Sequence, residues 1–217
     1  MADPKLHTAE QHTTIPRQPW KQLFSIYSTV FHPFAIPTFC MAALLFGPSY
    51  ISIMPGVVKF RILAIFILTT ICFPLFSIGL LKHLKIIPTS QTHRKRRVPI
   101  LVATAGYTIC YILLSGYLVI GLLPQLLTGA FAVIIACFAI NFFWKISLHM
   151  TAIGAAVGLL LCVTMKEYGN MTALCLVFTV LAGGLGTARL YLGKHNIGQV
   201  VAGFCIGVGV MLLLCML

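Results

Sequence analysis

Seven stretches of this chain run for about the length of a bilayer crossing with almost no charge. They lie at roughly 34–54, 60–82, 100–120, 125–143, 149–165, 172–188 and 197–216. A helix needs about 20 mostly apolar residues to cross the hydrocarbon core, so each run is a candidate span. The runs are continuously apolar and do not alternate with a period of two, which excludes a closed barrel. With 59% hydrophobic residues, 8% charged and a mean hydropathy of +1.01, nothing is left over for a soluble domain. The expected fold is all-α: a polytopic transmembrane helical bundle of six to seven spans, with residues 18–217 forming one membrane domain. Residues 1–17 are polar and lack the apolar region and cleavage site of a signal peptide; they are expected to be a disordered tail. From 18 to 31, Trp20, Phe24, Tyr27 and Phe31 recur at helical spacing beside Lys21, which suggests an interfacial helix lying on the headgroups. His32 follows it; a place in the site is one reading of it, and an interfacial residue is the favoured one.

The charge balance narrows the chemistry. Against 15 Lys and Arg stand three acids, Asp3, Glu10 and Glu167. None lies in the polar islands between the later runs, so paired-carboxylate glycosidase chemistry, Mg²⁺-carboxylate phosphoryl transfer and carboxylate proton relays lack their groups. What remains suits an anion such as phosphate. The basic residues sit in short membrane loops and form no continuous stripe, so nucleic acid is not an expected partner. All eight cysteines lie inside apolar runs without a CxxC pair; they read as small buried hydrophobes, and no metal or other cofactor is expected.

Three polar islands interrupt the apolar pattern: Arg94-Lys95-Arg96-Arg97, Lys145-Ile146-Ser147-Leu148-His149, and the segment from Arg189 through His195 to Gln199. Two runs separate each island from the next. An even number of crossings returns the chain to the same face, so the three islands are expected to converge while Glu167 sits on the opposite face, roughly 30 Å away. Glycines at 154 and 158, at 183, 184 and 186, and at 203 and 207 recur at intervals that let helix backbones approach closely, which would draw the second and third islands together. The Gly183-Gly184-Leu185-Gly186 run lacks the Lys-Ser/Thr ending and the preceding strand of a nucleotide loop.

Lys145 and His149 are four apart, as are His195 and Gln199, so each pair is expected on one helix face near a helix start, where free N–H groups favour anions. Arg189 with one or more of Arg94, Arg96 and Arg97 would add bidentate donors. Two histidines beside a bound phosphate suit nucleophilic attack by one imidazole and acid–base work by the other. The alternative is that the histidines are headgroup-level residues and the arginines topology signals.

At these residues the chain resembles the type 2 phosphatidic acid phosphatases, membrane enzymes whose motifs read Lys-x6-Arg-Pro, Pro-Ser-Gly-His and Ser-Arg-x5-His-x3-Asp. Arg189, His195 and their spacing match the third motif, with Ala188 and Gln199 in place of serine and aspartate. Ser147 and His149 match the second, with Ile146 and Leu148 in place of proline and glycine; Arg97-Val98-Pro99 has an extra residue, and Ser90 stands where the first motif has lysine. The resemblance, over roughly 90–205, implies His195 as the nucleophile, His149 as the acid and base, Arg189 and Arg97 as the phosphate clamp, and Ser147 as a donor to phosphate. Lys145 has no counterpart and enters by its spacing alone. Gln199 can accept a hydrogen bond from His195 and fix its tautomer, but it cannot supply the aspartate's charge.

The expected function is hydrolysis of a lipid phosphate or polyprenyl pyrophosphate through a phosphohistidine, without metal, with membrane lipids and a phosphorylated lipid as partners. A degenerate lipid-phosphate binder and a small anion transporter are the alternatives. Twelve of the 15 Lys and Arg fall on the site face by parity and three (Lys59, Arg61, Lys166) on the other, so positive-inside logic places that face in the cytoplasm of a plasma or inner membrane.

Overall fold

The computed structural model describes residues 19–85, 93–117, 122–166 and 168–216. The expected tail at 1–17 and Glu167 lie outside these residues, as does the side chain of Arg94. The described chain is helical: α1 (Pro19–Val30), α2 (Ile36–Phe46), α3 (Gly56–Phe66), α4 (Phe73–His83), α5 (His93–Leu113), α6 (Leu122–Phe143), α7 (Leu148–Met165), α8 (Thr172–Tyr191) and α9 (Ile197–Met216). A π-helical segment, Ile67–Cys72, joins α3 to α4 into one apolar helix from Gly56 to His83.

Among the described residues, five helices are long and apolar enough to cross a membrane, while Ile36–Phe46 and Arg97–Leu113 are apolar but shorter. The first expected run, 34–54, is cut at Gly47-Pro48 and continues as a short 3₁₀ turn, Tyr50–Ile53. The basic cluster at 94–97 is not the loop expected from its charge. It forms the opening turns of α5, with Pro99 inside the helix.

α7 is the hub. It packs against α2, α6, α8 and above all α9, and two-thirds of it (67%) is buried against about a third of each of the other long helices. In lipid, apolar surface gains nothing by leaving water, so association rests on van der Waals packing and close backbones. The glycines supply that closeness. A Cβ at Gly154 would strike the Phe204 carbonyl, and one at Gly207 the Thr151 carbonyl; Gly158 and Gly203 meet Val208 and Ser147 in the same seam. Helices α7 and α9 therefore touch backbone to backbone, as the spacing predicts. Outward faces carry large apolar side chains, such as Val180 (75% exposed) on α8 and Phe76 (71%) on α4, as expected of surfaces bathed in lipid.

Three of the four aromatics of the α1 stripe face the bundle. Phe24 packs on Tyr191, 4.8 Å between ring centroids, the Tyr27 hydroxyl donates to the Leu181 carbonyl at 3.0 Å, and Phe31 meets Phe39. The opposite stripe, Trp20, Leu23, Ile26 and Val30, is exposed. So α1 lies along α8, aromatic side inward.

Contacts between loops bear on the parity argument. At one end, Arg61 donates to the Tyr117 hydroxyl at 3.1 Å, Ser49 pairs with Gly169, and Tyr50 stacks edge-on against Tyr168. At the other end lie the starts of α5, α7 and α9. Even crossings thus gather the islands at one end of the bundle, and the loop neighbours of Glu167 lie at the other.

Candidate phosphate site

Helix α7 starts at Leu148, three residues later than a helical Lys145–His149 pair requires, so Lys145 belongs to the connection from α6 and not to a shared helix face. Trp144 to Ser147 leave helical geometry, and Ser147 takes the N-cap position without capping it through its side chain. Lys145 still reaches the site: its Nζ donates to the Lys194 carbonyl at 2.8 Å and ties the α6–α7 connection to the α8–α9 connection. His195 likewise precedes its helix, since α9 begins at Ile197.

The start of α9 is a reciprocal cap. Asn196 Oδ1 accepts from the Gln199 N–H at 2.9 Å, and Gln199 Oε1 accepts from the Asn196 N–H at 3.3 Å, the arrangement of a capping box. The same Gln199 oxygen lies 3.1 Å from His195 Nδ1. A backbone N–H can only donate, so the amide atom facing Asn196 is the oxygen, and an amide oxygen can only accept. His195 Nδ1 therefore carries a hydrogen, and in the neutral ring the lone pair sits on Nε2. The tautomer follows from the hydrogen-bond network, not from a charge.

Around this ring a cavity of about 560 Å³ opens, with His32, Lys82, Lys145, His149, Arg189 and His195 among its polar lining. Arg189, in the last turn of α8, donates from one terminal nitrogen to the Ser28 hydroxyl at 2.9 Å, and its Nε is buried with no partner. His149 sits at the first turn of α7, where unsatisfied N–H groups and the helix dipole favour an anion, with the Ser28 backbone beside its ring. Ser28, 6% exposed, thus braces Arg189 from α1.

Of the residues expected from sequence, His149, His195, Arg189 and Lys145 line one cavity, and Gln199 touches His195. Arg97 does not line it; its guanidinium lies 3.9 Å from the centroid of the Phe142 ring and its Nε is buried without a partner. Ser147 is fully buried against α9, its hydroxyl unpartnered, and it too is absent from the cavity wall.

Three contributors were not expected. His32 is not merely interfacial: it lines the cavity, edge-on to His149 with ring centroids 5.6 Å apart. Its Nδ1 accepts from the Phe34 N–H at 3.4 Å, and burial, then the Arg189 charge, hold its pKa below the usual histidine value. Lys82 enters from the end of α4, and Ser28 from α1. The only sequence signal for Ser28 was its place on the aromatic stripe, three and four residues from Phe31 and Phe24. The deep end of the cavity is apolar, with Leu126, Leu159 and Met211 on its wall.

Compared with known proteins, residues 127–217 match the sequence model of the PAP2 superfamily. No curated protein and no solved structure gives a match.

Proposed function

We propose that this chain, whose residues 127–217 match the sequence model of the PAP2 superfamily, is an integral-membrane phosphatase acting on a lipid phosphate or polyprenyl pyrophosphate. The observation that carries this reading is the Gln199–His195 pair: an imidazole with its lone pair assigned to Nε2, on a cavity wall shared with His149 and Arg189. Arg189 and the N–H groups at the start of α7 hold the phosphoryl oxygens. His195 Nε2 attacks phosphorus, the P–O bond to the lipid breaks, and His149 gives its proton to the leaving oxygen. His149 then takes a proton from water as that water attacks the phosphohistidine. Phosphate leaves, and both histidines return to their starting states. Lys145 and Lys82 add positive charge at the rim. No step calls on a metal.

The amide at Gln199 favours a second reading, lipid-phosphate binding without turnover. It orients the ring but supplies no negative charge to stabilise the imidazolium form. Phosphate release by the purified protein in detergent, without added metal, separates the two. Phosphatidic acid, phosphatidylglycerophosphate and undecaprenyl pyrophosphate would be offered to wild type and His195→Ala. The phosphatase reading expects release that falls by about 10⁴ in the variant. Equal release by both proteins on every substrate would leave only the binder.

A further inference from the structure

The cavity does not stop at the histidines. Along α6 its wall is one helical stripe, Asn141, Cys137, Ile134, Val133, Ala130 and Leu126. Spanning 15 residues at 1.5 Å per residue, the stripe runs about 22 Å from the cationic mouth toward the far face. Ala103 on α5 and Ala152 and Ala156 on α7 face the same space. These small side chains leave the room, whereas a packed helical interior has few voids larger than a water molecule. The volume, about 560 Å³, is that of a ligand site. Its length exceeds one leaflet of a hydrocarbon core, about 15 Å.

We infer that this tube is a binding site for a single hydrocarbon chain, and that the substrate of the phosphatase proposed above is a phosphorylated lipid that threads one tail into the bundle while its phosphate rests at His195, His149 and Arg189. The inference rests on that reading for the headgroup and on the tube for the tail. Charge at one end and apolar walls at the other match an amphiphile in one orientation only. Leu126, Leu159 and Met211 line the far end, so chain length is read by how far the tail runs along this wall. A linear acyl or alkyl chain and a short isoprenyl chain share this chemistry.

The test uses full-length protein and two probe series: monoalkyl phosphates from butyl to dodecyl for turnover, and the matching non-hydrolysable alkylphosphonates for affinity by calorimetry. Geranyl and farnesyl phosphates form the isoprenyl arm. Each methylene that enters the tube is expected to tighten phosphonate binding about threefold. Ala130→Phe, deep in the tube, is expected to weaken the longest chains at least about tenfold and leave butyl unchanged; Ala103→Phe, nearer the mouth, moves the cut-off to shorter chains. Butyl binding checks that each variant is folded. If Ala130→Phe loses every probe, Ala130→Val carries the same comparison with less added bulk. An affinity independent of chain length in the wild type overturns the tail site while leaving the phosphatase intact. Length-dependent phosphonate binding without turnover of any phosphate keeps the tail site and removes the phosphatase. If only the isoprenyl arm shows the length dependence, the chain is a prenyl one.

Discussion

The two halves of the bundle solve the same packing problem differently. From α7 to α9 the backbones touch, with Gly154, Gly158, Gly203 and Gly207 set into one seam, and this half carries His149, Arg189 and His195. From α2 to α5 the helices are short, broken at Gly47 or interrupted by the π segment Ile67–Cys72, and this half supplies walls: Pro37, Leu75, Ala103, Tyr107. The match to the PAP2 superfamily also begins only at residue 127. The difference teaches a division of labour. The side chains proposed to do the chemistry lie at one end of a seam with no freedom to slide, while the surfaces expected to select a lipid sit on helices that can be reshaped without moving the imidazoles.

The sharpest way to break this contrast is to add bulk to one glycine in each half. Gly207→Leu pushes a side chain into the Thr151 carbonyl and is expected to destabilise the protein by about 3 kcal/mol. Gly79→Leu on α4 meets nothing within 4 Å and is expected to change stability by less than about 0.5 kcal/mol. Thermal unfolding in detergent measures both; equal losses would mean that the seam is not special.

Ser28 tests whether the halves are independent, because α1 lies outside the matched segment yet holds Arg189. Ser28→Ala removes a hydrogen bond to a charged group. It is expected to raise KM about tenfold or more with the melting temperature nearly unchanged, and Ser28→Thr to restore it. Next in size is Gln199→Glu. A carboxylate oxygen can take both N–H groups that Gln199 takes, so the cap survives, and the added charge is expected to raise kcat about fivefold. Unchanged kcat would show that orientation alone is what position 199 contributes.

The smallest effect concerns His32. Its folded pKa lies below the unfolded value of about 6.5, so between those values the unfolded chain binds more protons, and stability falls as pH drops below about 6.5. His32→Gln is expected to lose less stability than wild type between about pH 7.5 and 5.5, read as the difference in unfolding midpoints.

Much of this architecture was legible in the sequence because its causes are local or countable. Apolar runs became helices, even crossings brought Lys145, His149, Arg189 and His195 to one end, and glycine spacing gave the α7–α9 seam. What escaped has tertiary causes. His32 and Ser28 reach the site only because α1 turns its aromatics onto α8, and nothing near residue 30 encodes that choice. Helical spacing also misled at Lys145, where the chain leaves α6 and re-enters at Leu148. The tube had no local pattern at all, since its alanines are spread over three helices and each reads alone as an ordinary membrane residue.

The oxygen of Gln199 closes the first turn of α9 and fixes the hydrogen on His195 Nδ1. The imidazole is therefore prepared by the same event that starts a helix. A terminal turn frays with far less energy than a bundle needs to melt, and once it frays the imidazole is free to rotate and to change tautomer. Heating should then silence the protein reversibly at temperatures where α7 and the body of α9 are still in contact, and cooling should bring it back without refolding.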